Sequence, residues 1–404
     1  MKRNTWRIVL LAAAGLGVVV GLWAERGSFS DTDAERRIAA LQKAIAAEGL
    51  CWQAGETSMS RLSGEERRRR LGALIEPTEE LAAEPEPALE VGALPATLDW
   101  RNRNGNWVTP IRDQGNCGSC WAFSTTGVLE SLVKIVKNIK TDLDLSEQTL
   151  VSCSDAGDCD GGYQNKAAIF VRDTGIPREE CYPYSATDGA CHPCPGWMSK
   201  TVKVTSWKGY SNASKTTLEN ALLSAPITAS MDVYSDFYKY RSGIYERTSG
   251  STYEGGHAIV IIGYNHTEGY WICKNSWGTS WGEKGFFRIR MGNCKIAGYC
   301  TSLSGPLMNN QPPVLQAIPA QSGEEGKLLA FSLSASDSDY DTLTFSAKNL
   351  PEGAALDAVT GSFAWTPGFT QSGAYSIRFG VSDGVNTVYR TASITVTNVK
   401  YKTW

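Results

Sequence analysis

Between Asp31 and Glu48, Ile38, Leu41 and Ile45 recur at helical spacing, with Thr32 three residues before Glu35 as a capping box and Gly49 as a stop. This predicts one amphipathic helix. Val128, Leu129, Leu132, Val133 and Val136 repeat the pattern and predict a second helix, opened by Ser119 or Cys120. His257 to Tyr264 is an apolar run of the buried-strand kind; a turn through His266, Thr267, Glu268 and Gly269 leads to a second strand from Tyr270 to Ser276. The two strands predict a hairpin centred near residue 266. After Pro313 the period becomes two: Leu329, Phe331, Leu333 and Ala335 alternate with polar or small residues, as do Leu343, Phe345 and Ala347, then Tyr375, Ile377, Phe379 and Val381, and last Ala392, Ile394 and Val396. Turns at Asp337 to Asp341, Pro351-Glu352-Gly353, Thr360-Gly361 and Asp383-Gly384 separate these strands, which predicts a β-sandwich.

Breaks in this patterning divide the chain. Lys2, Arg3 and Arg7 precede an apolar run from Ile8 to Trp23, the layout of a secretory signal or an uncleaved anchor over residues 1–24. Residues 25–93 hold the first helix and then a Pro-interrupted stretch with Glu76, Glu79, Glu80, Glu84, Glu86 and Glu90, which reads as an exposed, cuttable linker. Residues 94–308 carry most of the Trp, Cys and Gly. The polar stretch Asn309-Asn310-Gln311-Pro312-Pro313 then opens a last region, 309–404, without cysteine.

Length and charge narrow the function. The 404 residues accommodate two or three domains. The 39 Lys and Arg balance 42 Asp and Glu, so no basic field draws in nucleic acid. The 40 glycines disfavour a helical bundle, since each costs about 1 kcal/mol inside a helix. The 11 cysteines of an exported chain are expected to form disulfides, and the odd number leaves at least one thiol.

That thiol has a candidate. Cys120 lies at the start of the second helix, where unpaired N–H groups and the helix dipole favour thiolate and can hold an oxyanion. Gln114, just upstream, is a neutral amide suited to be the second oxyanion donor. A nucleophilic thiol needs a base, and the chain has only His192, His257 and His266. His257 begins the hairpin, and Asn275 on the other strand lies about as far from the turn, so its amide can orient the imidazole. Trp277 can cover that bond. His192 and His266 fall in loops and read as solvated.

Further blocks surround these residues: Leu94-Pro95 with Asp99-Trp100-Arg101, Gln114 to Phe123, Leu145-Ser146-Glu147-Gln148, Leu150 to Cys153, Cys159-Asp160-Gly161-Gly162, Tyr182-Pro183-Tyr184, Gly256-His257-Ala258, and Lys274 to Gly278 with Trp281 to Gly285. In this order they resemble the papain-like cysteine proteases over about Leu94 to Leu303. The resemblance implies an α+β, two-lobed catalytic domain with the cleft between a helical and a barrel-like lobe, followed here by the all-β sandwich. It assigns Cys120 as nucleophile, His257 as base, Asn275 as orienter and Gln114 as oxyanion donor, with Gly161, Gly162, Ala258 and Trp277 around the substrate. It implies hydrolysis of protein or peptide substrates without metal or cofactor.

It also implies the disulfide Cys117–Cys159. We further expect Cys153–Cys191 and, from short spacing, Cys181–Cys194 and Cys294–Cys300, which leaves Cys51, Cys120 and Cys273 as thiols. Trp52, Gly55, Ser60, Leu62, Ser63, Glu65 and Glu66 resemble the end of the family's inhibitory pro-segment, which runs backwards through the cleft. The neighbouring Arg67 to Arg70 run reads as a solvated helix face. Gln164 and Ser230 lie where relatives place apolar pocket residues, so a purely hydrophobic preference is not expected. The last region resembles the immunoglobulin-like and cadherin-like modules of secreted bacterial proteins and implies a surface or polymer ligand; Asp337, Asp339 and Asp341 there are an ordinary polar turn or a calcium site.

Other readings stay open at this point. Cys117 and Cys120 have the spacing of a redox pair, or with Cys191 and Cys194 of a zinc site. The fold also hosts peptide ligases, and an adhesin with a vestigial protease domain is a further alternative.

Overall fold

The computed structural model describes residues 31–75, 94–308 and 311–399. The apolar run at the start, most of the acidic stretch and Asn309-Asn310 lie outside them. Helix α1 (Asp31–Ala47) buries Ile45 and leads into β1 (Trp52–Ala54). The short α2 (Gly64–Arg68) carries a capping box, in which Ser63 accepts from the Glu66 N–H and the Glu66 carboxylate accepts from the Ser63 N–H. After it come β2 (Ala73–Leu74) and β3 (Thr97–Asp99).

The helical lobe is built on α3 (Cys120–Val136), buried almost throughout, with α4 (Glu147–Cys153), the short β4 (Gly157–Asp158) and β5 (Gly161–Tyr163), and α5 (Gln164–Asp173) around it. The other lobe comprises β6 (Val202–Ser211), α6 (Lys215–Leu222), β7 (Ile227–Tyr234), β8 (Tyr240–Tyr245), β9 (Tyr253–Asn265), β10 (Tyr270–Lys274), β11 (Phe286–Arg290) and β12 (Tyr299–Met308). Its strands run in the order β1-β8-β11-β10-β9-β7-β12-β6, with β3 also on β9. The edge strand β1 therefore comes from the segment before the catalytic lobes, with Trp52 opposite Gly243.

The hairpin forms with its centre displaced. Tyr270 pairs with Asn265 and Lys274 with Val260, with a register shift between Ile272 and Cys273. Counting on from Lys274 puts residue 277 level with His257, so Asn275 reaches the imidazole diagonally.

The remaining strands, β13 (Val314–Leu315), β14 (Gln321–Glu324), β15 (Leu329–Ser332), β16 (Ala335–Ser336), β17 (Thr344–Lys348), β18 (Ala355–Leu356), β19 (Ser362–Trp365), β20 (Gly373–Ser382) and β21 (Thr387–Thr397), form a four-stranded sheet β14-β21-β20-β17, a three-stranded sheet β15-β19-β18 and the pair β13-β16. They enclose a separate core of Phe345, Phe363, Trp365, Ile377, Phe379, Ile394 and Val396 with smaller neighbours. Trp365 is core, with its ring edge-on to Tyr375 at 4.8 Å.

The turn 337–341 joins this module to the helical lobe. Lys137, capping the C-terminal end of α3, pairs with Asp341 at 2.6 Å. Arg178 lies over the Tyr340 ring at 5.0 Å and donates to the Tyr340 hydroxyl and the Ser338 carbonyl. Asp337 Oδ1 accepts the N–H groups of Asp339 and Asp341, and Asp339 accepts that of Gln311. The three aspartates are thus drawn together by turn hydrogen bonds as well as by proximity.

Three disulfides are present: Cys117–Cys159, Cys153–Cys191 and Cys181–Cys194. The expected Cys294–Cys300 bridge is not: both are free, with Cys51, Cys120 and Cys273. Short spacing misleads here because the two thiols face different neighbours. Cys300 lies inside the sheet on β12, near the Cys273 thiol, while Cys294 sits in the preceding turn, donates to Asn293 Oδ1 at 3.1 Å and meets Tyr245. His266 is exposed, as expected, and in addition bonds through Nδ1 to the buried Glu219 carboxylate at 3.0 Å.

Candidate active site

Cys120 is the first residue of α3, after the N-cap Ser119. His257 stands on β9, so nucleophile and base candidates come from opposite lobes. The Ala258 N–H donates to Cys120 Sγ at 3.3 Å, which ties the strand bearing His257 to the thiol. His257 Nε2 lies 2.8 Å from Asn275 Oδ1, and that same oxygen accepts the Ser276 N–H at 2.8 Å. An oxygen so identified only accepts, so Nε2 carries the proton and Nδ1 keeps its lone pair when the ring is neutral. Nδ1 is buried without a partner. The Trp277 indole stacks on the imidazole, centroids 4.6 Å apart at 30°, and is fully buried.

Gln114 is buried and held on three sides. Its N–H donates to the Ser276 carbonyl at 2.9 Å, its Oε1 accepts from the Ser276 hydroxyl at 2.6 Å, and its Nε2 donates to the Cys117 carbonyl at 2.8 Å and to the Arg70 carbonyl at 3.1 Å. The second Nε2 bond fills the outward-facing donor with a carbonyl from the segment before the catalytic lobes.

That segment covers the site. β2 pairs parallel with β5, Ala73 opposite Gly162, and the Gly162 N–H donates to the Gly72 carbonyl at 2.8 Å. The Gly72 N–H donates to the Gly256 carbonyl at 3.1 Å. Gly72 passes so close that a Cβ there would stand 1.9 Å from the Gly118 oxygen, a position only glycine fits. The Leu71 side chain is buried against Gly255. Arg70 pairs with Asp113 at 2.7 Å, Arg68 with Glu254 at 3.4 Å, and Arg67 lies over the Tyr238 ring. Of the four arginines only Arg69 stays within its own helix, on Glu65. Arg67 and Arg70 thus dock on the catalytic lobes, while the side chains of Arg68 and Arg69 stay 60% and 59% exposed, as a solvated face has them. Asp113, Tyr238 and Glu254, the partners of the run, escape a reading of the sequence because none belongs to a chemistry-bearing block.

Enclosure decides the protonation states. Burial pushes the Cys120 thiol up to about 11, although N–H groups of Ala258, Gly72, Trp121 and Cys120 itself oppose it. Burial also lowers the His257 imidazole to about 4, against the Asn275 hydrogen bond. Thiolate was the sequence-based expectation from the helix terminus, but desolvation outweighs the dipole while the segment is in place.

The two polar pocket candidates turn inward. Gln164 Nε2 faces the Ser124 hydroxyl at 3.4 Å, and the Ser230 hydroxyl is taken up by the Tyr299 backbone at 3.1 and 3.2 Å. Their polarity is absorbed by the protein, which removes the reason for expecting a polar pocket. Behind the cleft, Glu130 accepts from Thr109 and from the Leu145 N–H, and Lys274 reaches Thr109 at 2.9 Å.

A family profile described as "Papain family cysteine protease" matches residues 94–304, more than half of the chain. The chain belongs to the papain family of cysteine proteases. A second profile, "Putative Ig domain", matches residues 312–397. Among curated proteins, a cathepsin L-like proteinase of Fasciola hepatica is 38% identical over 226 residues, 54% of this chain and 68% of that protein. The oryzain gamma chain of Oryza sativa is 35% identical over 270 residues, 64% of this chain and 72% of that one. Among solved structures, digestive procathepsin L2 from Tenebrio molitor larval midgut superposes with a TM-score of 0.59 at 28% identity, covering 71% of this chain and 95% of that one. A recombinant stem bromelain precursor gives 0.57 at 26% identity, covering 69% and 94%. This papain-family chain is therefore a cysteine peptidase with an α+β catalytic fold and an immunoglobulin-like module, and its structural neighbours include precursor forms.

Proposed function

We propose that the chain is an exported cysteine endopeptidase made as an autoinhibited precursor, with residues 1–24 directing export, 25–93 inhibiting, 94–308 catalysing and 309–404 binding a surface or polymer. The observation that carries this reading is the occupation of the cleft by residues 70–74: the Arg70 carbonyl on the Gln114 amide and β2 parallel to β5. The reversed direction is the one that the pro-segment resemblance implies. Three disulfides support export to an oxidising compartment.

Once the linker is cut and the segment leaves, water reaches the cleft and the desolvation that keeps the pair neutral falls. His257 Nδ1 then takes the Cys120 proton, while Nε2–H stays on Asn275. The thiolate attacks the scissile carbonyl, and the Gln114 amide with the Cys120 N–H stabilises the tetrahedral anion. The imidazolium protonates the leaving amine, and water, deprotonated by His257, resolves the acyl-enzyme. Gly161 and Gly162 hydrogen-bond the substrate backbone, while Ala258 and Trp277 wall the site.

Replacing Cys120 by Ala or His257 by Ala should lower kcat/KM at least about 10³-fold, as removal of a nucleophile or its base does. Asn275→Ala should cost less, since Asn275 orients without reacting. Turnover near that of wild type in processed Cys120→Ala protein would overturn the mechanism.

A further inference from the structure

Tyr184 lies outside the nucleophile, base and orienter set, yet its hydroxyl bridges Gln114 and Ser119, one at each end of the loop between the anion donors. It donates to the Gln114 carbonyl at 2.7 Å. The phenol has one proton, so the Ser119 hydroxyl, 2.6 Å away, must donate to the phenolic oxygen. Gln114 carries the first donor, and the peptide bond after Ser119 carries the second, the Cys120 N–H. One hydroxyl therefore links the Gln114 backbone to the Ser119 side chain, next to the peptide unit that presents the second donor. The Tyr184 ring is edge-on to Phe123, one turn beyond Cys120 on α3, at 4.8 Å. Its own N–H donates to the Glu179 carboxylate at 2.7 Å.

The loop between the donors needs such a tie. Residues 115–118 contain no helix or strand, and Gly115 takes a positive φ of 63°. The Cys117–Cys159 disulfide holds the middle of the loop and Ser276 holds Gln114 from the opposite lobe, but neither fixes the distance from Gln114 to Ser119. An anion site works through donors placed before charge develops, and misplacement by a fraction of an ångström weakens it.

We propose that Tyr184 is a positioning residue for the oxyanion site, setting the spacing of the Gln114 amide and the Cys120 N–H through its hydroxyl. The proposal rests on the assignment of Gln114 as oxyanion donor. It concerns the tetrahedral stage alone: ground-state binding and the reactivity of the Cys120–His257 pair are left as they are.

The test uses processed full-length enzyme with Tyr184→Phe, which keeps the ring on Phe123. Four quantities are read: kcat and KM on a short peptide amide, the Ki of a peptide aldehyde whose thiohemiacetal bears an oxyanion, and the rate of Cys120 alkylation by iodoacetamide. Gln114→Ala is the benchmark, where loss of a donor costs about 10²-fold in kcat. Tyr184→Phe should lower kcat about 10-fold and weaken the aldehyde by a similar factor, with KM and alkylation within about twofold of wild type. Ser119→Ala, which removes only the second bond, should give a smaller change of the same kind and keeps the question open to measurement if Tyr184→Phe fails to fold. Unchanged kcat and aldehyde affinity, or alkylation falling in step with kcat, would overturn the proposal. An unaffected Gln114→Ala enzyme would instead remove the oxyanion assignment itself and the proposal with it.

Discussion

Arg70 and Gln114 meet through a backbone carbonyl and a side-chain amide at 3.1 Å, so the chain's own backbone occupies the amide proposed as anion donor. The same segment seals the thiol. On the proposed reading, inhibition combines a filled donor, a covered nucleophile and a proton kept in the wrong place for attack.

The proton is the most directly measurable of these. With the thiol near 11 and the imidazole near 4, the covered pair is neutral between about pH 4 and pH 11. At pH 7 the thiolate fraction of such a group is about 10⁻⁴. Iodoacetamide should therefore alkylate the precursor at least about 100-fold more slowly at pH 7 than the processed enzyme with its proposed thiolate–imidazolium pair. Equal rates, followed by mass spectrometry of Cys120, would show that the segment does not control the pair.

The arginine face and Gly72 should differ in weight. Each ion pair, Arg70–Asp113 and Arg68–Glu254, is partly exposed and contributes about 0–1 kcal/mol. Removing both arginines should weaken inhibition in trans by an added residues 31–75 peptide by up to about 30-fold. Gly72→Ala acts through shape alone: its methyl would collide with the Gly118 carbonyl, and overpacking of about 1–3 kcal/mol should raise Ki up to about 100-fold.

Much of this was legible in the sequence, and the exceptions have physical causes. The helix beginning at Cys120, the hairpin and the alternating strands of the sandwich follow from periodicity, which reports one buried face. The grouping of Cys120, His257, Asn275 and Gln114 follows from the few residues able to do that chemistry. The hairpin centre is displaced because the register shift at Ile272/Cys273 leaves no mark in composition. Cys294 and Cys300 looked paired because spacing says nothing about the direction of a thiol. Arg70 looked solvated because a charge run does not reveal a carboxylate 43 residues away.

The cysteines give a count. Under denaturing, non-reducing conditions, five thiols per chain should react, at Cys51, Cys120, Cys273, Cys294 and Cys300. In the folded precursor only Cys51 is exposed and should react promptly. Three reactive thiols after denaturation would point to a fourth bridge.

The turn 337–341 should make the module stabilise the helical lobe. Tyr340→Ala removes the ring under Arg178, and Lys137→Ala removes the partner of Asp341. Each should lower the melting temperature of the catalytic part by about 2–4 °C, for a loss of about 1 kcal/mol. A truncation that removes the module has to retain Met308, because β12 pairs with β6 as far as Met308 opposite Val202. That protein should hydrolyse short peptides, and calorimetry should find its catalytic domain less stable. Unchanged melting in all three would mean that the contact carries no energy.

Helix α3 acts as a ruler. Cys120 stands at one end and Lys137, gripping the module, at the other. At about 1.5 Å per residue they are about 25 Å apart, the reach of seven or eight extended residues. A tripeptide cannot touch both points, whereas an unfolded protein chain can be held by the module and still thread the cleft. Under the binding role proposed for the module, substrate length enters selectivity independently of side-chain pockets, and bond cleavage falls at a distance from the point of capture.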